Sequence, residues 1–220
     1  ALKIVDQNPL GSAAGYGSSF PIDRTFTTKE LGFETLKYNS VAAQMSRGKS
    51  EKTVAFAMSS VAATLAKFSM DVCLYMSQNF DFITLPSHLT TGSSIMPHKK
   101  NPDVFELIRG KCNKIQALPY EITLITNNLP SGYHRDLQLL KEGLFPAIQN
   151  LKACLDIALF SIKDIKVKEH ILDDKKYDYL FTVDSLNEMV VAGMPFRDAY
   201  KAVAEQLENG TFQSPKETKH

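Results

Sequence analysis

The sequence predicts an all-α fold on three observations. Strand-like alternation of apolar and polar residues is scarce along the chain. From Glu51 to about Phe80 there is neither Pro nor Gly, and Val54, Met58, Val61, Leu65, Phe68, Val72 and Tyr75 recur at spacings of four and three, a heptad-like stripe. Two further stretches, Pro102 to about Thr126 and Leu137 to Ser161, have the length and composition of long helices.

Taken in order, Asn8 to Arg24 is rich in Gly, Ser and Pro and reads as an ordered loop. Thr27 with Glu30 forms a capping-box pattern that places a helix start near Thr28. Gly48 and Ser50 mark the next boundary, and the long helix follows. About thirty residues at 1.5 Å each give a rod of roughly 45 Å. Its remaining faces carry Ala55, Ala57, Ser59, Ser60, Ala62, Ala63, Ala66 and Ser69, with charge only at Lys67 and Asp71 in the middle. A lone surface helix would show a charged face there. Small residues all round predict a helix packed on several sides, as in the core of a multi-subunit bundle; the centre of a monomeric bundle is the other reading.

Pro102 to Thr126 is expected to turn Val104, Leu107, Ile108, Cys112, Ile115 and Leu118 inward and to kink at Pro119, and the helix from Leu137 is expected to be interrupted near Pro146. Shorter helices are predicted at Thr182 to Ala192 and Phe196 to Glu208, split by Gly193 and Pro195, with a polar end from Gln213 to His220. This organisation gives a helical bundle domain over 1–165 and the start of a small second helical domain over 166–220.

Composition narrows function. Lys and Arg total 25 against 24 Asp and Glu, so bulk charge implies neither a nucleic-acid partner nor an anionic membrane surface. The three cysteines, Cys73, Cys112 and Cys154, lie far apart in apolar helical patterns without metal-ligand spacing, and read as reduced core thiols of a cytoplasmic protein. Ala1 to Asp6 carries no secretory pattern. The weakly charged stretch from Thr53 to Lys67 is too rich in Ser, Thr and Ala to read as a membrane span.

The chemistry concentrates in Gly92-Ser93-Ser94-Ile95-Met96-Pro97-His98-Lys99-Lys100-Asn101-Pro102-Asp103. A glycine hinge, two hydroxyls, two lysines and an asparagine run straight into a helix start. Asn101 suits the cap, Pro102 the first helical position and Asp103 the first turn. A mobile polar loop feeding a positively polarised helix end is suited to stabilising negative charge that develops during a reaction. Ser93 on a closing loop suits a base that approaches bound substrate, provided its alkoxide is stabilised, for which Lys99 and the helix N-terminus are the candidates. Gln138 and Lys141 lie three apart on one predicted helical face with Tyr133 just upstream, an amide and an ammonium placed to grip carboxylates. Alone, each would read as an ordinary turn or surface residue; together they form a constellation.

The string resembles the signature loop of the fumarase/aspartase superfamily of lyases, and Lys99-Lys100-Asn101-Pro102-Asp103 resembles its argininosuccinate lyase branch. Pro9-Leu10-Gly11-Ser12 with Pro21-Ile22-Asp23-Arg24 is similar to a Pro-Leu-Gly-Ser…Asp-Arg loop of that branch. Leu129-Pro130-Ser131-Gly132-Tyr133-His134-Arg135-Asp136-Leu137-Gln138-Leu139-Leu140-Lys141 resembles its Leu-Pro-Ser-x-Tyr-x-x-Asp-Leu-Gln-x-x-Lys segment.

By that resemblance Ser93 corresponds to the catalytic base and Lys99 to the lysine that stabilises the carbanion. Asn101, Tyr133, Gln138 and Lys141 correspond to substrate-binding positions. The resemblance implies β-elimination of argininosuccinate to arginine and fumarate in arginine biosynthesis, without a metal or organic cofactor. It also implies a homotetramer with active sites shared between subunits. Family members are about twice this long, and their N-terminal part carries a Thr-His pair absent from this chain; His88, His98, His134 and His170 receive no role. Ala42-Ala43 and Arg47-Gly48 depart from the family's usual residues. His98 is shared with adenylosuccinate lyases, which remain an alternative, as does a non-catalytic crystallin-like homologue.

Overall fold

The computed structural model describes residues 1–215. The chain divides into two compact units, Ala1–Lys166 and a second beginning at Val167. In the first, α1 (Leu2–Val5) precedes a two-residue strand β1 (Gln7–Asn8). That strand pairs in parallel with β2 (Thr35–Leu36) across α2 (Arg24–Glu30). There follow α3 (Ser40–Met45), α4 (Lys49–Tyr75), α5 (Asp103–Gln116), α6 (Leu118–Thr126) and α7 (Leu140–Ile162). The fold is all-α, as the periodicity predicts.

The 27 residues of α4 make a rod of about 40 Å. Glu106 near the start of α5 lines a cavity with Cys73 near the end of α4, whereas Thr126 at the end of α6 meets Gly48 before its start. The α5–α6 pair therefore runs antiparallel to α4, and α7 returns along the bundle. Phe105, Ile108, Cys112 and Ile115 of α5 pack with Met58, Ala62, Leu65 and Val72 of α4 and Leu140, Leu144, Leu151 and Cys154 of α7 in one core. Phe68 meets Phe105 edge to face at 5.9 Å between centroids. Burial holds the Cys112 thiol up at about 12, with the neighbouring Cys154 adding to the shift, so Cys112 behaves as a neutral core residue.

Several local expectations give way to tertiary packing. The buried face of α4 is Ala55, Met58, Ala62, Leu65, Ala66, Ser69 and Val72, whereas Val61 and Tyr75 of the predicted stripe are exposed. Small side chains let α5 approach closely, which rotates the buried face toward them. The opposite side of α4 exposes Phe56, Ala57, Ser60, Val61, Ala63 and Met70, so within this chain α4 is not covered on several sides. On α5, Phe105 is fully buried and Leu107 is 65% exposed, reversing the inward position expected for Leu107.

The helix containing Pro146 is unbroken. Its proline has no N–H to offer the Glu142 carbonyl, yet packing on α6 holds the turn; a Cβ on Gly143 would lie 3.0 Å from Leu118 Cδ1. The break expected near Pro119 does occur, at Ala117.

The start of α2 is fixed by Asp23 rather than by Thr27 and Glu30. Its carboxylate accepts the Thr25 and Phe26 N–H groups at 2.9 and 3.0 Å, so the helix begins one turn earlier than the capping-box pattern predicts. Two helical stretches, Lys49–Tyr75 and Arg135–Ile162, are apolar enough to cross a membrane by length and composition; their buried faces form the bundle core described above.

The second unit holds short 3-10 turns followed by α8 (Thr182–Val191) and α9 (Phe196–Glu208), joined through Gly193 at φ +100. Leu186, Ala199 and Val203 form its core. Of the polar end predicted from Gln213, residues 216–220 lie outside the described residues.

Candidate functional site

Gly92 to Lys100 leave and re-enter the bundle at one closed base. The Asn101 N–H donates to the Thr91 carbonyl at 2.8 Å and the Thr91 N–H returns to the Asn101 carbonyl at 3.1 Å. The Thr91 hydroxyl also donates to the Asp103 carboxylate. Asn101 is therefore part of the loop base and does not cap the helix. Pro102 takes the cap position and Asp103 opens α5, one residue later than the sequence predicts. Bridging is favoured here because residue 101 precedes a proline, which biases it toward extended backbone. The Asn101 side-chain amide lies 3.5 Å from the Gly92 carbonyl, a weak contact.

Within the loop, the half-buried Ser93 turns its hydroxyl oxygen toward two backbone donors, Ile95 N–H at 3.2 Å and Met96 N–H at 3.1 Å. Such donors favour negative charge on that oxygen, which is what a serine base requires. The space where a Cβ of Gly92 would stand is open, so the hinge before Ser93 is sterically unrestrained. Lys99 and Asn101 line a cavity of about 690 Å³ with Cys73, Ser77, Gln78 and Glu106 at the C-terminal end of α4. Burial raises the Cys73 thiol above its ordinary value, so it meets this cavity as a neutral group.

Tyr133, Gln138 and Lys141 lie at the other end. Gln138 closes a 3-10 turn, Arg135–Gln138, and Lys141 is the second residue of α7. The pair thus spans a turn-to-helix junction rather than one regular helix. The segment before it is tied down by side chains. His134 Nε2 lies 2.8 Å from the Pro130 carbonyl, Gln44 Nε2 donates to the Gly132 carbonyl at 3.4 Å, and an Arg47 NH2 group donates to the Leu137 carbonyl at 3.1 Å. Arg47 is in turn held by Glu51 at 3.0 Å. The second Glu51 oxygen accepts the Gly48 N–H at 2.7 Å.

The predicted residues thus form two groups separated by the length of α4, about 40 Å. Ser93, Lys99 and Asn101 share the signature loop at one end; Tyr133, Gln138 and Lys141 share the junction at the other. One small substrate cannot bridge them within a single chain.

The glycine-rich N-terminal segment acts structurally. The Arg24 guanidinium donates to the Leu10, Tyr38 and Lys37 carbonyls at 2.9, 2.9 and 2.8 Å. The fully buried Asn8 amide donates to the Thr27 and Thr28 hydroxyls at 3.1 and 2.9 Å. Gln44 and Arg47 escape a reading by motif because their partners are carbonyls nearly ninety residues away. The one available signal is the i,i+4 spacing of Arg47 and Glu51 around Gly48.

Comparison with known proteins fits this architecture. A family profile described as lyase matches residues 1–117. Argininosuccinate lyase of Parabacteroides distasonis is 60% identical over all 220 residues, which are 49% of that protein. Its namesake from Phocaeicola vulgatus is 58% identical over the same span and also covered to 49%. The chain therefore spans about half the length of these curated relatives. Among solved structures, EDDS lyase in complex with formate superposes with a TM-score of 0.74 at 22% identity, over 95% of this chain and 42% of that one, which shows a shared fold. With the profile match and the long-helix bundle in agreement, the chain belongs to the lyase family.

Proposed function

We propose that the full-length protein carrying this chain is an argininosuccinate lyase, cleaving argininosuccinate to arginine and fumarate in the cytoplasm, without a metal or organic cofactor. The observation that carries this reading is the 60% identity to the Parabacteroides distasonis argininosuccinate lyase across every residue of the chain.

The chemistry follows from the loop. Ser93, as alkoxide, removes the carbon-bound proton beside a carboxylate; the Ile95 and Met96 N–H groups lower the cost of its charge. Lys99 stabilises the dianionic intermediate; the C–N bond then breaks with its electron pair going to the guanidino nitrogen, which takes up a proton as arginine leaves, and fumarate remains. Asn101, Tyr133, Gln138 and Lys141 hold the substrate's polar groups.

Two features support a homotetramer with shared sites. The half-sites lie at opposite ends of α4, and α4 leaves Phe56, Val61, Ala63 and Met70 uncovered with Lys67 as the charge among them. Antiparallel packing of that face on a second copy sets one chain's loop beside another's Tyr133–Lys141 junction. The test is fumarate release by the full-length protein, followed by ultraviolet absorbance, with argininosuccinate and adenylosuccinate compared directly. Turnover of adenylosuccinate alone overturns the reading.

A further inference from the structure

We infer that Gln44 and Arg47 are positioning residues for the substrate-binding junction, setting the places of Tyr133 and Gln138 through the backbone. This rests on the assignment of Tyr133 and Gln138 to substrate binding made above. The two carbonyls they reach are those of Leu137, at 3.1 Å from Arg47, and Gly132, in a weaker contact at 3.4 Å from Gln44, each immediately before one of those two residues. A carbonyl shares a rigid peptide plane with the next residue's nitrogen and Cα. Holding the Gly132 oxygen therefore fixes the plane that ends on Tyr133, and holding the Leu137 oxygen fixes the plane that ends on Gln138.

The junction needs this help. Between α6 and the 3-10 turn the backbone has no ladder of its own, and Gly132 sits at φ +137, a conformation that Gly enters at low cost and leaves as easily. The supports, by contrast, stand on or beside helices, Arg47 in the turn between α3 and α4. Gln44 lies in α3 and is 9% exposed. Gly15 of the N-terminal loop passes so close that a Cβ there would come within 2.6 Å of Gln44 Cβ, so the glutamine is packed between that loop and its own helix. Arg47 is aimed by Glu51, whose other oxygen is anchored on the Gly48 N–H. A charged donor to a carbonyl, itself ion-paired, is among the stronger tethers available to a loop.

The experiment measures kcat and KM for argininosuccinate in the full-length protein bearing Gln44→Met, Arg47→Lys, Arg47→Met, Gln138→Ala, and Arg47→Met with Gln138→Ala, at matched native mass. The expected result is a KM raised about tenfold in Arg47→Met and about threefold in Gln44→Met, with kcat changed much less. Arg47→Lys should recover only part, because an ammonium cannot present two in-plane faces to Glu51 and Leu137 together. In the double variant the KM change should not exceed that of Gln138→Ala alone, since both changes remove one interaction.

Additive effects of Arg47→Met and Gln138→Ala on KM, or equal falls in kcat and stability with KM untouched, overturn the inference and leave an ordinary structural role. An unchanged KM in Gln138→Ala instead overturns the site assignment beneath it. Should Arg47→Met fail to fold, Gln44→Met, which keeps side-chain length and loses the amide, decides the matter on the same split.

Discussion

Ser93 and Met96 are three residues apart in the signature loop, and the Met96 amide donates to the Ser93 hydroxyl oxygen at 3.1 Å. The loop thus supplies part of the stabilisation that the proposed role of Ser93 as base would need. Ser93→Ala in the full-length protein should lower kcat for fumarate release by about 10³-fold, the scale of a lost general base, with native mass unchanged. Residual turnover within tenfold of the parent would remove Ser93 from the mechanism.

Gly48 is predicted to be costly to replace, for one backbone reason and one tertiary reason. It stands at φ +81, and a Cβ there would lie 2.4 Å from Thr126 Cγ2. Gly48→Ala should cost about 2–3 kcal/mol from backbone strain and the clash combined, read as a shifted urea midpoint. A midpoint equal to the parent's would show that the contact between the start of α4 and the end of α6 yields freely.

Phe105 is fully buried where α4 and α5 meet. Phe105→Ala should destabilise the first unit by about 3–5 kcal/mol through lost burial and the cavity left behind. Leu107→Ala, two residues away on the exposed side, should cost far less when the two are compared by thermal melting.

Asp23 gives a pH signature. The Thr25 hydroxyl first, then the Phe26 N–H, hold its carboxyl below the ordinary carboxylate value. A depressed folded value means that the stabilisation is fully present above the unfolded value of about 3.9 and is lost as pH falls through the folded one. Asp23→Asn should therefore be less stable than the parent at pH 7, and the gap should close in melts taken progressively below pH 4. A gap that widens with acid contradicts this sign.

The uncovered face of α4 makes a prediction about assembly. Val61→Glu or Ala63→Glu places a carboxylate on an exposed apolar stripe, harmless to a monomer but costly at a buried interface. Native mass spectrometry of the full-length protein should show that the variant fails to form the proposed tetramer, with activity falling in step. An intact tetramer would move the interface elsewhere.

How much of this was legible beforehand varies residue by residue. The helical class, the long α4 and the last two helices follow from periodicity and from punctuation by Gly and Pro. The positions that went astray are those where two local signals competed. Thr27 and Glu30 offered a cap, but Asp23, four residues earlier, offered a stronger acceptor. Leu107 was as apolar as Phe105, and only the angle at which α5 meets α4 chose between them. Pro146 looked like a break, yet its turn is held by the neighbouring α6.

By itself the sequence determined which side chains gather in short segments: Ser93 with Lys99 and Asn101, and Tyr133 with Gln138 and Lys141, because chain connectivity holds near neighbours together in any fold. Tertiary structure alone decided that these clusters stand at opposite ends of α4, and that Gln44 and Arg47 reach carbonyls nearly ninety residues away. Such pairings depend on helix direction and on backbone oxygens, which every residue type carries alike and which therefore leave no mark in the letters of the chain.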